Sequence, residues 1–147
     1  MRNVIMATIS IQQRFAQSPE QVFAVLGTHA GLGVCFAPLQ VTRVQDSADT
    51  HHPDGVGSVR KMGFGSVTPV YEQVTEYEPN KFVEYVLINN PLIKHHVGRL
   101  VFTPEGAGTL LEYTIELDGK IPGSAHVILV GLKAGITQGL KKLAKSL

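Results

Sequence analysis

Arg60 and Glu72 are opposite charges set among apolar residues in segments that alternate like strands. Side chains alternate across a strand, so if Arg60 points inward, Ser58, Met62 and Phe64 do too. A tight turn near Gly65 then places Glu72, with Val70 and Val74, roughly across from Arg60. Such a pair has two uses. It is either a cross-strand ion pair that neutralises two charges and does no chemistry, or it orients the carboxylate, carbonyl or hydroxyl of a small molecule through charge-assisted hydrogen bonds. Carried onward, the alternation turns Tyr85, Leu87 and Asn89 inward, then His96, Gly98, Leu100 and Phe102, then Leu111, Tyr113 and Ile115. Tyr85 and Tyr113 read either as core aromatics with satisfied hydroxyls or as polar anchors for a ligand. Arg60, Glu72 and Tyr113 are expected to form the polar end of this inward face. An acid or base for proton transfer would come from Glu72, His96 or Tyr113, but Arg60 opposes the raised pKa that a carboxylate base would need. No catalytic residue is assigned.

Other chemistries find no support. His95 and His96 are adjacent in a predicted strand and point to opposite faces, while His51 and His52 lie in a polar loop with only Asp49 and Asp54 nearby, so no metal site is expected. The serines lack a nucleophile-elbow context, and Cys35 belongs to no recognisable Cys-His arrangement. Gly31-Leu32-Gly33 and Gly55-Val56-Gly57 lack the third glycine and following helix of a phosphate loop.

The elements that must position these side chains follow from periodicity. Residues 8–15 alternate as a strand, and Ser18-Pro19-Glu20-Gln21 is a capping-box start for a short helix that buries Val22, Phe23, Val25 and Leu26. Residues 28–38 are glycine-broken and predict a second short helix with loops. Strands are then predicted over 39–45, 56–64, 66–77, 81–89, 94–103 and 109–117, with a polar loop at 46–55 and short turns that favour antiparallel hairpins.

A long helix closes the chain from Ser124, which is read as its N-cap. Ala125, Ile128, Leu129, Leu132, Ile136, Leu140 and Leu143 share one arc at about 100° per residue. Gly131, Gly135 and Gly139 edge that arc, each costing roughly 1 kcal/mol of helix stability relative to alanine. Either another backbone packs closely there, or space is left for a ligand.

With 147 residues, 44% of them hydrophobic, the chain reads as one domain spanning 1–147. A net charge of +1 argues against a nucleic-acid binder. The single cysteine excludes an intrachain disulfide, and Lys133 interrupts an apolar run already too short to span a bilayer, so no stable membrane insertion is expected. Residues 1–7 do not read as a signal peptide, and a cytoplasmic location is expected.

Several short motifs, in their order and spacing, resemble one superfamily. They are Ser18-Pro19-Glu20-Gln21-Val22-Phe23, Gly55-Val56-Gly57-Ser58-Val59-Arg60, Glu72-Gln73-Val74, Phe82-Val83-Glu84-Tyr85 and Gly108-Thr109-Leu110-Leu111-Glu112-Tyr113, followed by the long final helix. The pattern is similar to the START-related helix-grip superfamily, which includes polyketide cyclases/dehydrases and Bet v 1-like proteins. The resemblance implies an α+β helix-grip fold: a curved antiparallel sheet of about seven strands wrapped around a long C-terminal helix, with two short helices after the first strand. It also implies a cavity that takes a polyketide, lipid, sterol or isoprenoid without any cofactor, either as a carrier or as a cyclase/dehydrase-type enzyme. The expected ligand-binding residues are Arg60, Met62, Phe64, Glu72, Tyr85, Leu87, His96, Leu100, Tyr113, Gly131, Gly135 and Gly139. The hairpin over 62–69 and the turn Asn90-Pro91-Leu92-Ile93 are expected to gate the cavity. Burial of these two loops in a homodimer is the alternative.

Overall fold

The computed structural model describes residues 6–65 and 69–147; Ser66, Val67 and Thr68 of the expected gating hairpin lie outside them. Seven strands and three helices follow in the order β1 (Ala7–Phe15), α1 (Pro19–Leu26), α2 (His29–Cys35), β2 (Gln40–Gln45), β3 (Val59–Gly63), β4 (Val70–Glu78), β5 (Phe82–Ile88), β6 (Ile93–Glu105), β7 (Gly108–Gly119) and α3 (Ser124–Ser146). The strands form one antiparallel sheet ordered β1-β7-β6-β5-β4-β3-β2, so β1 and β2 are its edges. This is the expected helix-grip arrangement.

Local chemistry sets the entry to each helix. Ser18 Oγ accepts from the Gln21 N–H at 3.3 Å, Gln21 Oε1 accepts from the Ser18 N–H at 3.0 Å, and Pro19 occupies the first turn. Such a reciprocal cap is worth about 1 kcal/mol. Val22, Phe23 and Leu26 are then buried, and the Phe23 ring meets Tyr77 and Phe102 edge-on with centroids 5.4 and 5.1 Å apart. Thr28 Oγ1 caps α2 by accepting from the Gly31 N–H. For α3 the expected cap is corrected. Gly123, in the left-handed region at φ 79°, is the N-cap without a side-chain bond, and Ser124 is already helical, with its hydroxyl donating back to Ile121 O at 2.6 Å. A left-handed cap suits glycine, and Ser124, already inside the helix, is one residue past the capping position.

The inner face of the sheet is divided. Leu26, Leu100, Leu111, Ile115, Leu117 and Leu140 are almost wholly buried in a core shared by the sheet, α1 and the C-terminal part of α3. Helix α3 rests on β1, β7 and α2. Its Ile128 and Leu132, expected on the buried arc, instead remain accessible and face a hollow in front of β3–β5.

Candidate functional site: the cavity between sheet and helix

That hollow is a cavity of about 830 Å³, walled by α3 on one side and by β3–β7 and the α2–β2 segment on the other. Of the residues expected to bind ligand, Arg60, Met62, Phe64, Glu72, Tyr85, Leu87, His96, Tyr113, Gly131, Gly135 and Gly139 all line it. Leu100 does not. It is buried in the core, paired with Val83 on β5 and Tyr113 on β7. The glycine stripe splits between its two explanations. A Cβ at Gly131 or Gly135 would meet nothing within 4 Å, so these two leave room. At Gly139 it would lie 2.7 Å from the Phe36 ring and 3.2 Å from Cys35 O, so there the helix packs closely against α2.

The floor of the cavity is polar and buried. Arg60 and Glu72 face each other in the β3–β4 register, and the Arg60 Nε–H donates to Glu72 Oε1 at 2.8 Å. Burial is the largest single influence and works to lower the Arg60 pKa, but Glu72 with Tyr85 and Tyr113 together outweigh it and the net direction is upward. The guanidinium also lies 4.4 Å from the centroid of the Tyr85 ring, a cation–π contact. The Tyr85 and Tyr113 hydroxyls are hydrogen-bonded to each other; burial raises the pKa of both, so they are neutral. The hydroxyl that accepts keeps its own proton available for another partner.

His96 completes the floor. The Leu87 N–H donates to its Nδ1 at 3.1 Å, so in the neutral ring Nε2 carries the proton; burial lowers its pKa and favours that neutral form. Its neighbour His95 faces out and lies 3.5 Å from Glu116, as strand alternation requires. Among the described residues, no three His, Cys, Asp or Glu side chains converge.

One polar residue of this cluster escaped the sequence reading. His29, at the start of α2, is buried, accepts from the Arg60 Nη1–H at Nδ1 (3.2 Å) and donates from Nε2 to Ser58 Oγ (2.9 Å). Asp54 Oδ1 lies 3.7 Å from the same Nε2 and is held by Arg43 at 2.6 Å. No local pattern marks residue 29; only the docking of α2 over β3 brings it to Arg60. Leu32, Cys35, Phe36 and Leu39 also line the cavity, and the sole hint of this was the apolar character of a glycine-broken segment. The Cys35 thiol, pushed up to about 11 by burial, is a weak donor to Gly139 O.

The arrangement therefore presents long apolar walls, a neutral donor at His96, a spare tyrosine proton, and a carboxylate whose charge is matched by Arg60. Exposed Pro38, Phe64, Gln138 and Lys142 form the rim. Among the described residues no helix is long and apolar enough to cross a membrane.

Solved structures share this fold at low identity. The aromatase/cyclase ZhuI from Streptomyces sp. R1128 superposes with a TM-score of 0.74 at 14% identity, covering 96% of this chain and 94% of that one. Norcoclaurine synthase from Thalictrum flavum, in complex with dopamine and hydroxybenzaldehyde, gives 0.67 at 15% identity over 97% and 88%. Ara h 8.0201 gives 0.69 at 14% over 97% and 99%. No curated protein sequence matches the chain. The model of one family matches residues 6–147, nearly the whole chain, and this protein belongs to that family, polyketide cyclase / dehydrase and lipid transport.

Proposed function

We propose that this protein binds an apolar or amphipathic small molecule, of polyketide, lipid, sterol or isoprenoid class, in the cavity between the sheet and α3. The observation that carries this reading is a volume of about 830 Å³ whose apolar walls end on a buried polar floor. That combination suits a ligand with a mainly hydrocarbon body and one oriented oxygen group. Because Glu72 already neutralises Arg60, a carboxylate at the floor would be repelled by the like charge of Glu72, whereas a carbonyl or hydroxyl would accept from His96 or from the tyrosine pair. Gating by Phe64 and by the turn before β6 belongs to the same proposal, because Phe64, Asn90 and Ile93 line the cavity.

Native mass spectrometry of the purified protein and titration with an environment-sensitive apolar dye test the reading. We expect one bound small molecule per chain and one-to-one dye binding that weakens in Gly135→Leu, whose side chain would enter the cavity. Dye binding unaffected by Gly135→Leu in a folded protein would sink it.

The second reading is a cyclase/dehydrase-type enzyme acting on the same ligand. It is favoured by one observation: a histidine of fixed tautomer stands on the same floor as a carboxylate. The Arg60 ion pair weighs against Glu72 as a base. Recovery of the bound molecule chemically unchanged after prolonged incubation distinguishes a carrier from an enzyme.

A further inference from the structure

The outer side of α3, facing away from the cavity, combines exposed aliphatic side chains with lysines. Val127 and Val130 are 75% and 73% exposed, and Val130 and Ala134 share a shallow groove with Lys133, Thr137 and Lys141. At the start of the helix two more aliphatic side chains are in solvent. Leu92 is 59% and Ile121 57% exposed, and the Lys120 N–H donates to Leu92 O at 2.9 Å, tying the turn before β6 to the loop before α3.

The charge here is one-sided. Residues 119–147 hold five of the thirteen Lys and Arg side chains and none of the twelve Asp and Glu, so the other residues together are net negative although the whole chain is near neutral. None of these five lysines makes an ion pair among the described residues, whereas Arg14, Arg43, Arg60, Lys81 and Arg99 all do. Exposed aliphatic side chains cost free energy in water unless something covers them.

From this we infer that the outer face of α3, with Leu92 and Ile121 at its head, is a docking surface for anionic lipid bilayers. The aliphatic side chains would enter the headgroup region while Lys120, Lys133 and Lys141 meet lipid phosphates. Charge complementarity selects this occupant. A two-fold contact between copies would set the same cationic face against itself, an arrangement that like charges oppose. Docking of this kind is peripheral and needs no spanning segment. Gln138, the one residue lining both the outer groove and the cavity rim, separates the two surfaces by the width of a single helix.

Co-sedimentation of the full chain with vesicles tests the assignment. Binding is expected to phosphatidylcholine vesicles containing phosphatidylglycerol and not to phosphatidylcholine alone, and it should be lost at about 0.5 M NaCl. Lys133→Glu with Lys141→Glu should weaken it by at least about tenfold. Val127→Ser with Val130→Ser should weaken it without the change in salt dependence. These side chains are exposed and lie outside the cavity lining, so the variants keep the fold and the dye site. Absence of binding at low salt overturns the assignment, as does binding that both double variants retain in full. Self-association that Val130→Ser abolishes, in a protein that ignores vesicles, makes the face a protein interface and overturns it too. Vesicle binding is read directly, so a cavity that proved to take no ligand would leave this test intact.

Discussion

Arg60 can only donate, so its 3.2 Å hydrogen bond to His29 Nδ1 fixes that ring as the Nε2-protonated, uncharged tautomer. A second proton on His29 would break the bond and set two cations together in a buried place. Burial, then Arg60, lowers the His29 pKa from 6.5 to about 4, with Asp54 acting the other way and Arg43 adding to the decrease.

The sign of the resulting pH dependence follows. Between about pH 4 and pH 6.5 the unfolded chain binds a proton at His29 that the folded protein refuses, so stability from this group is complete above 6.5 and is lost as the pH falls toward 4. The loss should be on the order of 2–3 kcal/mol. Urea midpoints measured across this window should rise with pH, and His29→Gln should flatten the slope. An unchanged slope in that variant would assign the dependence elsewhere.

Arg60 and Glu72 should couple strongly. Removing one partner leaves a buried charge without its counterion, so Arg60→Met or Glu72→Gln alone should cost about 3–5 kcal/mol, while the double variant should cost clearly less than the sum. A double-mutant cycle by denaturant unfolding measures this. Additive losses would mean that the 2.8 Å contact contributes nothing.

One substitution at two helical glycines should have opposite signs. Gly135→Ala adds a methyl group to open space and should stabilise α3 by roughly 1 kcal/mol. Gly139→Ala drives a Cβ into the Phe36 ring and toward Cys35 O, and should destabilise by on the order of 1 kcal/mol after the helical gain. Thermal unfolding of the two variants side by side decides it.

The tyrosine pair depends on Gly98. Tyr85 sits directly opposite Gly98 in the β5–β6 register, and its ring occupies the place where a Cβ would stand. Gly98→Ala should therefore displace Tyr85, break its bond to Tyr113 and cost about 1–3 kcal/mol. Because burial raises both tyrosine pKa values, their contribution is intact below the ordinary value of 10 and is lost as alkaline pH rises through the folded values. Ultraviolet titration should show these tyrosines ionising late in the parent protein and earlier in Gly98→Ala.

What could be read from the chain beforehand depended on how local the determining physics was. The capping box at Ser18 and Gln21 and the hairpin strands rest on neighbours in sequence; the box appears where the pattern put it and so do the strands, save that β3 begins at Val59 and not at residue 56, and β4 is described from Val70, with residues 66–68 of its expected span outside the described residues. The Arg60–Glu72 pair was legible because a short interval in sequence between two strands and a period of two almost determine a register. Alternation says which side of the sheet a residue faces, but not what covers that side. Leu100 and Tyr113 are opposite one another on β6 and β7 and both are buried in the core, yet only Tyr113 also reaches the cavity, because α1 and the C-terminal part of α3 cover only part of the sheet. His29 was hidden for the same reason: its role arises from helix-on-sheet docking, which leaves no periodic trace.

The open edge at β2 is handled by irregularity. An uncovered strand edge is a template onto which another chain can add, and among the described residues β2 has only β3 beside it in the sheet. It is six residues long, its pairing slips between Arg43 and Gln45, and Arg43 is drawn aside by Asp46 and Asp54. Short length, a kinked ladder and a charge at the kink are poor footing for an incoming strand, so the ion pairs of Arg43 serve colloidal behaviour as well as the placement of Asp54 beside His29.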